Sequence, residues 1–188
     1  MRIIGGDYRG RKIFTPEDKS TRPLKDLVRE SIFNILEHSK LETFNLKKSY
    51  VLDLFSGTGS FGLECISRGV KKVCFVENYS PSIKILNKNI EKLNCNLKTN
   101  IIKKNVFQLD KKNYILNNKF NLIYIDPPFK EENIYKLIDK IYKLKLLKYN
   151  GLIIIHRHKK TNEKFINKFK IIRTETYGVS KIIFGKFI

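Results

Sequence analysis

From residue 50 onward, short apolar runs alternate with amphipathic stretches. Tyr50–Asp53, Lys72–Glu77, Asn100–Lys104, Asn121–Ile125 and Gly151–Ile155 are brief runs rich in aliphatic and aromatic side chains, and they predict strands. Between them, Ser60–Arg68, Pro81–Leu93 and Glu131–Leu147 carry apolar residues at helical spacing. Ser80 is the expected cap of the second of these helices, with Pro81 at its first position. Strands that alternate with helices imply right-handed crossovers and a parallel sheet. The order changes at the end. Phe169–Glu175 and Val179–Phe187 are separated only by Thr176-Tyr177-Gly178, a link too short for anything but an antiparallel hairpin. The predicted fold class is α/β: a Rossmann-like sandwich on a mostly parallel seven-stranded sheet with an antiparallel C-terminal hairpin.

A different pattern precedes this alternation. The first 17 residues, with Gly5-Gly6-Asp7 and Arg9-Gly10-Arg11, read as a short hairpin or extended arm. Thr21 then caps a helix over Pro23–Glu37, with Leu24, Leu27, Val28, Ile32, Ile35 and Leu36 as its apolar stripe. The expected division is an N-terminal extension over 1–40 and the main α/β domain over 41–188. A chain of 188 residues with 41% apolar content suits such a domain and excludes wholesale disorder.

Charge changes the picture more than length does. Lys and Arg number 38 against 18 Asp and Glu, a net charge of +20. A polyanionic partner is the default inference, and nucleic acid is the commonest. The abundance of Lys, Ile and Asn offers a competing origin for part of that charge. Arginine resists it, because Arg2, Arg9, Arg11, Arg22 and Arg29 crowd the N-terminal segment. The guanidinium fork suits bidentate phosphate or base contact. Arg9, Arg11, Lys12, Arg22 and Arg29 are therefore the candidate RNA-binding residues, with salt bridging to Asp7, Asp18, Asp26 and Glu30 as the alternative. Cys65, Cys74 and Cys95 form no C-x-x-C pair, so neither a disulfide framework nor a zinc site is expected. With no long apolar run and no signal-peptide pattern, a cytoplasmic protein without membrane or metal partners is expected.

The chemistry begins at Val51-Leu52-Asp53-Leu54-Phe55-Ser56-Gly57-Thr58-Gly59-Ser60-Phe61-Gly62, a strand running through a glycine-rich loop into a helix. Gly57, Gly59 and Gly62 satisfy G-x-G-x-x-G, a pattern that on its own invites a dinucleotide. Asp53 at the strand end argues against a pyrophosphate and for a cationic ligand. S-adenosylmethionine has no phosphate and carries a sulfonium and an ammonium. Asp53 can pair with the amino end of its methionine part, directly or through water, Phe55 joins the cofactor-binding set, Gly57 and Gly59 allow close backbone approach, and Glu77 ends the next strand where it can accept the ribose hydroxyls. Asn105 and Val106 follow the third strand and are placed to meet the adenine. The competing readings are a helix cap for Asp53 and a surface strand end for Glu77.

Asp126-Pro127-Pro128-Phe129 follows the fourth strand at once. Two prolines stiffen the turn and remove backbone donors, so it presents acceptors: the Asp126 carboxylate and the Pro127 carbonyl. Phe129 adds an aromatic face. Acceptors beside a ring suit a planar exocyclic amine, whose nitrogen lone pair is freed when its N–H groups are hydrogen-bonded. Asp126, Pro127 and Phe129 are the candidate catalytic residues. In a doubly wound sheet the first and fourth strands are neighbours, so Asp53 and Asp126 lie at adjacent strand ends.

These stretches together resemble a known family. Met1-Arg2-Ile3-Ile4-Gly5-Gly6 with Arg9-Gly10-Arg11-Lys12, then Arg22-Pro23 and Val28-Arg29-Glu30-Ser31-Ile32-Phe33-Asn34, then the glycine loop, Phe75-Val76-Glu77 and Asp126-Pro127-Pro128-Phe129, resemble the RsmD-type bacterial 16S rRNA (guanine-N2)-methyltransferases. The resemblance implies a class I methyltransferase fold. It also implies S-adenosylmethionine as cofactor and one loop guanine of 16S rRNA as target, within the small ribosomal subunit or an assembly intermediate. A monomer is expected. Three departures stand out: Asn105-Val106 where the family has Asp-Ala, Leu24-Lys25 after Arg22-Pro23, and His156-Arg157-His158 where a carboxylate is usual. His156 and His158 read as polar strand-end residues near RNA. A DNA adenine-N6 methyltransferase and a catalytically silent rRNA-binding assembly factor are the alternatives; the first lacks room for a target-recognition domain.

Overall fold

In a computed structural model, the protein is described over residues 1–16, 26–38, 45–112 and 114–188. Seven strands form one sheet: β1 (Tyr50–Leu54), β2 (Lys72–Val76), β3 (Thr99–Ile102), β4 (Phe120–Ile125), β5 (Leu147–His158), β6 (Phe169–Tyr177) and β7 (Ser180–Phe187). Their order across the sheet is β3-β2-β1-β4-β5-β7-β6. The first five pair in parallel, and β7 pairs antiparallel with both β5 and β6. The expected α/β architecture, including the C-terminal hairpin, is the one observed.

Both faces of the sheet are covered, which explains why the central strands read as near-continuous apolar runs. Val51, Leu122, Tyr124, Leu152 and Ile154 point to one face. There they meet α1 (Asp26–His38), α2 (Ser60–Ser67) and α3 (Ser80–Lys92). Leu52, Leu54, Ile123, Ile125, Ile153 and Ile155 point to the other and pack on α4 (Ile134–Lys143).

Several boundaries differ from expectation for local reasons. Ser80 is the first residue of α3; the N-cap is Tyr79, with no side-chain cap bond. The fourth helix is shorter than the predicted Glu131–Leu147. Before it, Glu131 Oε1 accepts from Asn133 N–H in a turn; after it, Lys145 takes φ 51° and breaks the helix. β5 then starts at Leu147 instead of Gly151. The predicted start of α1 at Pro23, its cap Thr21, and Arg22 all lie outside the described residues.

The N-terminal arm is a hairpin: Arg2 bridges Lys12 antiparallel, and a 3-10 turn spans Gly6–Tyr8. Ile3 and Ile13 bury into the same core as α1 and α2. One carboxylate ties the arm down. Glu64 on α2 is fully buried. It accepts from Ile4 N–H and Gly5 N–H at 2.8 Å each and from Arg68 Nε at 2.9 Å. Arg29 Nε lies 3.7 Å away, and Arg68 reaches Glu37 at 2.9 Å. A buried carboxylate is tolerable only with such compensation. Glu64→Gln keeps one acceptor and leaves Arg29 on Asp26 and Arg68 on Glu37, so it should cost about 1–3 kcal/mol in urea unfolding, the range for losing hydrogen bonds to a charged group. The amides of Ile4 and Gly5 should lose protection from hydrogen exchange; unchanged exchange would show that Glu64 does not hold the arm.

Candidate active site

At the carboxyl ends of β1, β2 and β4 lies a cavity of about 750 Å³. Its walls include Phe55, Gly57, Glu77, Asn105, Val106 and Asp126. That volume suits a nucleoside-sized ligand. The sheet dictates the meeting: Leu54 pairs with Ile125 and Val76 in register, so the residues that follow each strand converge.

The glycine loop is held from two sides. Glu77 Oε2 accepts from Gly57 N–H at 2.7 Å, while Oε1 accepts from Asn78 N–H and Tyr79 N–H at 2.9 Å. Glu77 thus faces the cavity and anchors the loop at once. Phe55 occupies the left-handed region at φ 57°, a conformation costing a bulky residue roughly 1–2 kcal/mol. That twist turns its ring into the cavity wall, edge-on to Phe107.

Two expectations for this loop need correction. Gly59 is not at the cavity wall. It takes φ 84°, and a Cβ there would come within 2.4 Å of Leu86 Cδ1, so the glycine is needed for loop shape and packing. Asp53 is only 1% exposed and does not line the cavity. Its Oδ2 accepts from Gly62 N–H at 3.0 Å. It caps the first turn of α2 beneath the loop, the competing reading of the sequence. The third glycine also has a packing cause: a Cβ at Gly62 would meet Phe75 at 2.3 Å.

Asn105 and Val106 are both at the cavity wall, with Val106 buried. Asn105 Oδ1 accepts from Phe107 N–H at 2.9 Å, so its side chain caps the turn it starts. Among the arginines, Arg29 is contradicted as an RNA contact. It is fully buried, with its guanidinium on Asp26 and the Arg2 carbonyl. Arg9, Arg11 and Lys12 are exposed, and Arg11 lies over the Tyr8 ring.

Asp126 is held by three strands. Its N–H donates to the Leu54 carbonyl at 3.3 Å. Tyr124 Oη donates to Oδ2 at 3.3 Å, and His156 Nδ1 stands 2.8 Å from Oδ1. Behind the prolines, the buried Arg157 donates to the Pro128 and Glu131 carbonyls and pairs with Glu163. Phe129 sits edge-on to His158 and His156, at 5.0 and 5.7 Å between ring centres. The tripeptide His156-Arg157-His158 therefore backs the Asp-Pro-Pro-Phe turn. His156 is buried, not a strand-end residue open to RNA. The signal was present in the sequence: parallel neighbours that pair Ile125 with Ile155 must also bring Asp126 beside His156.

Comparison with known proteins decides the family. Residues 1–186 match the family described as Conserved hypothetical protein 95. The chain belongs to this family. A relative, the ribosomal RNA small subunit methyltransferase D of Buchnera aphidicola, is 32% identical over 87% of this chain and 79% of its own. The same-named protein of Haemophilus influenzae is 31% identical over 95% of this chain and 90% of its own. Among solved structures, a candidate methyltransferase of Escherichia coli, yhhF, superposes with a TM-score of 0.82 at 24% identity, covering 100% of this chain and 97% of that one. This likeness extends the family's fold across the whole chain.

The cavity wall mixes charges, with Glu77, Asp126 and Glu131 beside Lys104 and Lys130. Burial pushes the Asp53 carboxyl well above the usual carboxylate range; the Gly62 N–H opposes this, and the negative Asp126 and Glu77 add to it. Between the ordinary carboxylate pKa of about 3.9 and that raised value, the folded protein keeps a proton the unfolded chain has released. Stability must fall as pH rises through that window. Asp53→Asn keeps an acceptor for Gly62 and buries no charge. Its melting temperature should match wild type below about pH 4, where the carboxyl is protonated in both states, and exceed it as pH rises toward the raised carboxyl value. A difference independent of pH would contradict the assignment.

Proposed function

We propose that this protein transfers a methyl group from S-adenosylmethionine to the exocyclic N2 amine of a loop guanine in 16S rRNA of the small ribosomal subunit. Family membership and the names of its relatives support the coarser part, a methyltransferase acting on ribosomal RNA. The finer part rests on one observation: Asp126, on a donor-free proline turn, opens into the cavity beside the glycine loop.

The cavity fits the cofactor. Glu77 and Asp126 face it beside the glycine loop, with Glu131, Lys104 and Lys130 also on its wall, so the loop side of the cavity suits a cation rather than a phosphate. Glu77 would take the ribose, Asn105 and Val106 the adenine, and the Gly57 loop the methionine part. When bound, S-adenosylmethionine supplies a methyl group on a positively charged sulfur. The chain's own work lies with the acceptor. Asp126 and the Pro127 carbonyl accept the amine hydrogens, which frees the nitrogen lone pair for attack. Phe129 offers its ring to a base turned out of its stack. Asp126 can then receive the amine proton.

The exposed cations serve docking. Met1 and Pro16, the two ends of the arm, reach the cavity wall. Its turn is anchored where Tyr8 N–H meets Ser67 at the far end of α2, a helix about 12 Å long. Arg9, Arg11 and Lys12 are thus set to meet phosphates flanking the target rather than the target base. Arg9→Ala with Arg11→Ala should weaken RNA binding and flatten its salt dependence by about one log unit per lost phosphate contact, leaving cofactor affinity unchanged. RNA binding that survives unaltered would make the arm purely structural.

Asp126 carries the chemistry. In single-turnover assays on small-subunit particles, Asp126→Ala should slow methyl transfer by roughly a hundredfold or more, as for loss of one preorganised polar partner. Asp126→Asn, which keeps one acceptor but no charge, should fall between. Near-normal transfer by the alanine variant would reduce Asp126 to a strand end.

A further inference from the structure

The amine chemistry leaves one feature unexplained: β5 delivers a buried histidine onto Asp126. His156 is 1% exposed. Its Nδ1 lies 2.8 Å from Asp126 Oδ1 and its Nε2 lies 2.8 Å from Ser180 Oγ. Ser180 is itself buried, at the start of β7. An imidazole inside an apolar sheet is costly unless both nitrogens find partners. A carboxylate only accepts, so Nδ1 must carry the hydrogen. In the neutral ring Nε2 presents a lone pair, and the Ser180 hydroxyl turns to donate into it. In that state donation runs one way, from Ser180 to His156 to Asp126. A serine–histidine–aspartate row elsewhere activates the serine. Here the serine is the closed end, and the carboxylate is the end that meets the cavity.

We propose that His156 is a positioning residue: its Nδ1–H locks the Asp126 carboxylate in the orientation that receives the substrate amine, and Ser180 locks the histidine tautomer. The proposal rests on the reading above, in which Asp126 accepts from that amine. A lone aspartate on a turn would swing about two side-chain torsions. This one is gripped from both sides. His156 holds Oδ1 from β5, and Tyr124 donates to Oδ2 from β4. Tyr124 is itself immobilised by stacking on Phe61, at 3.8 Å between ring centres and 14° between planes. Orientation fixed before the reaction is what lowers the barrier in such sites. His156 also bears on Phe129, so it sets the acceptor and the aromatic face together.

The test exchanges the nitrogen that is imitated. His156→Asn places an amide N–H near the position of Nδ1 and retains a donor for Asp126. His156→Gln reaches toward Ser180 and offers Asp126 none. In the glutamine variant kcat should fall roughly 10- to 100-fold, while KM for small-subunit particles and cofactor affinity stay within about twofold. The asparagine variant should retain most of the wild-type rate. Equal rates in the two variants would overturn the proposal. Nitrogen-15 NMR of the wild-type imidazole gives a second decision that needs no substrate. The proton should reside on Nδ1 of His156, and residence on Nε2 would overturn the proposal by itself. Absence of methyl transfer to rRNA by the wild type would instead defeat the functional reading, and the NMR result would still decide the role of His156.

Discussion

The in-register pairing of β1 with β4 is the constraint on which the site depends. Leu54 sits opposite Ile125, and the Leu54 carbonyl takes the Asp126 N–H. That single register places the glycine loop and the proline turn side by side. A slip of one residue would send Asp53 and Tyr124 to the opposite face and part the two motifs. β2 brings Glu77 to the loop from one side. β5 brings His156 and Arg157 to the turn from the other. Each strand end contributes one functional group because parallel strands all finish at the same edge.

A second constraint is electrostatic. The chain carries a net charge of +20, yet acids outnumber lysines at its cavity wall, where Glu77, Asp126 and Glu131 stand with Lys104 and Lys130. Exposed Arg9, Arg11 and Lys12 can attract a polyanion over a distance, whereas Glu77 and Asp126 act only on what enters the cavity. Buried charge is handled differently again. Glu64 is matched by two guanidinium groups and two backbone N–H groups, and burial pushes the Asp53 carboxyl above the usual carboxylate range.

The sheet and its antiparallel edge were legible in the sequence because both rest on local patterns and link lengths. The locations of Glu77 and Asp126 were legible because each closes a strand. Side-chain direction was harder to read. Asp53, on a strand buried on both faces, pointed under α2 instead of into the cavity, and sequence order could not distinguish the two. Arg29 looked like its exposed neighbours, but it lies on the buried stripe of α1 together with Val28, Ile32 and Phe33. Its partner Glu64 is distant in sequence, which hid the pair. His156 was read as a strand end because the run of apolar residues stops there. The strand in fact continues to His158, and pairing with β7 buries the histidine.

The proposed reaction takes place at one atom of one base, and its product reports on it directly. Small-subunit particles incubated with the protein and S-adenosylmethionine carrying a labelled methyl group should yield, after nuclease digestion and mass spectrometry, label in N2-methylguanosine at a single position of 16S rRNA. Label in N6-methyladenosine, or no label in nucleosides while the cofactor still binds, would contradict the account.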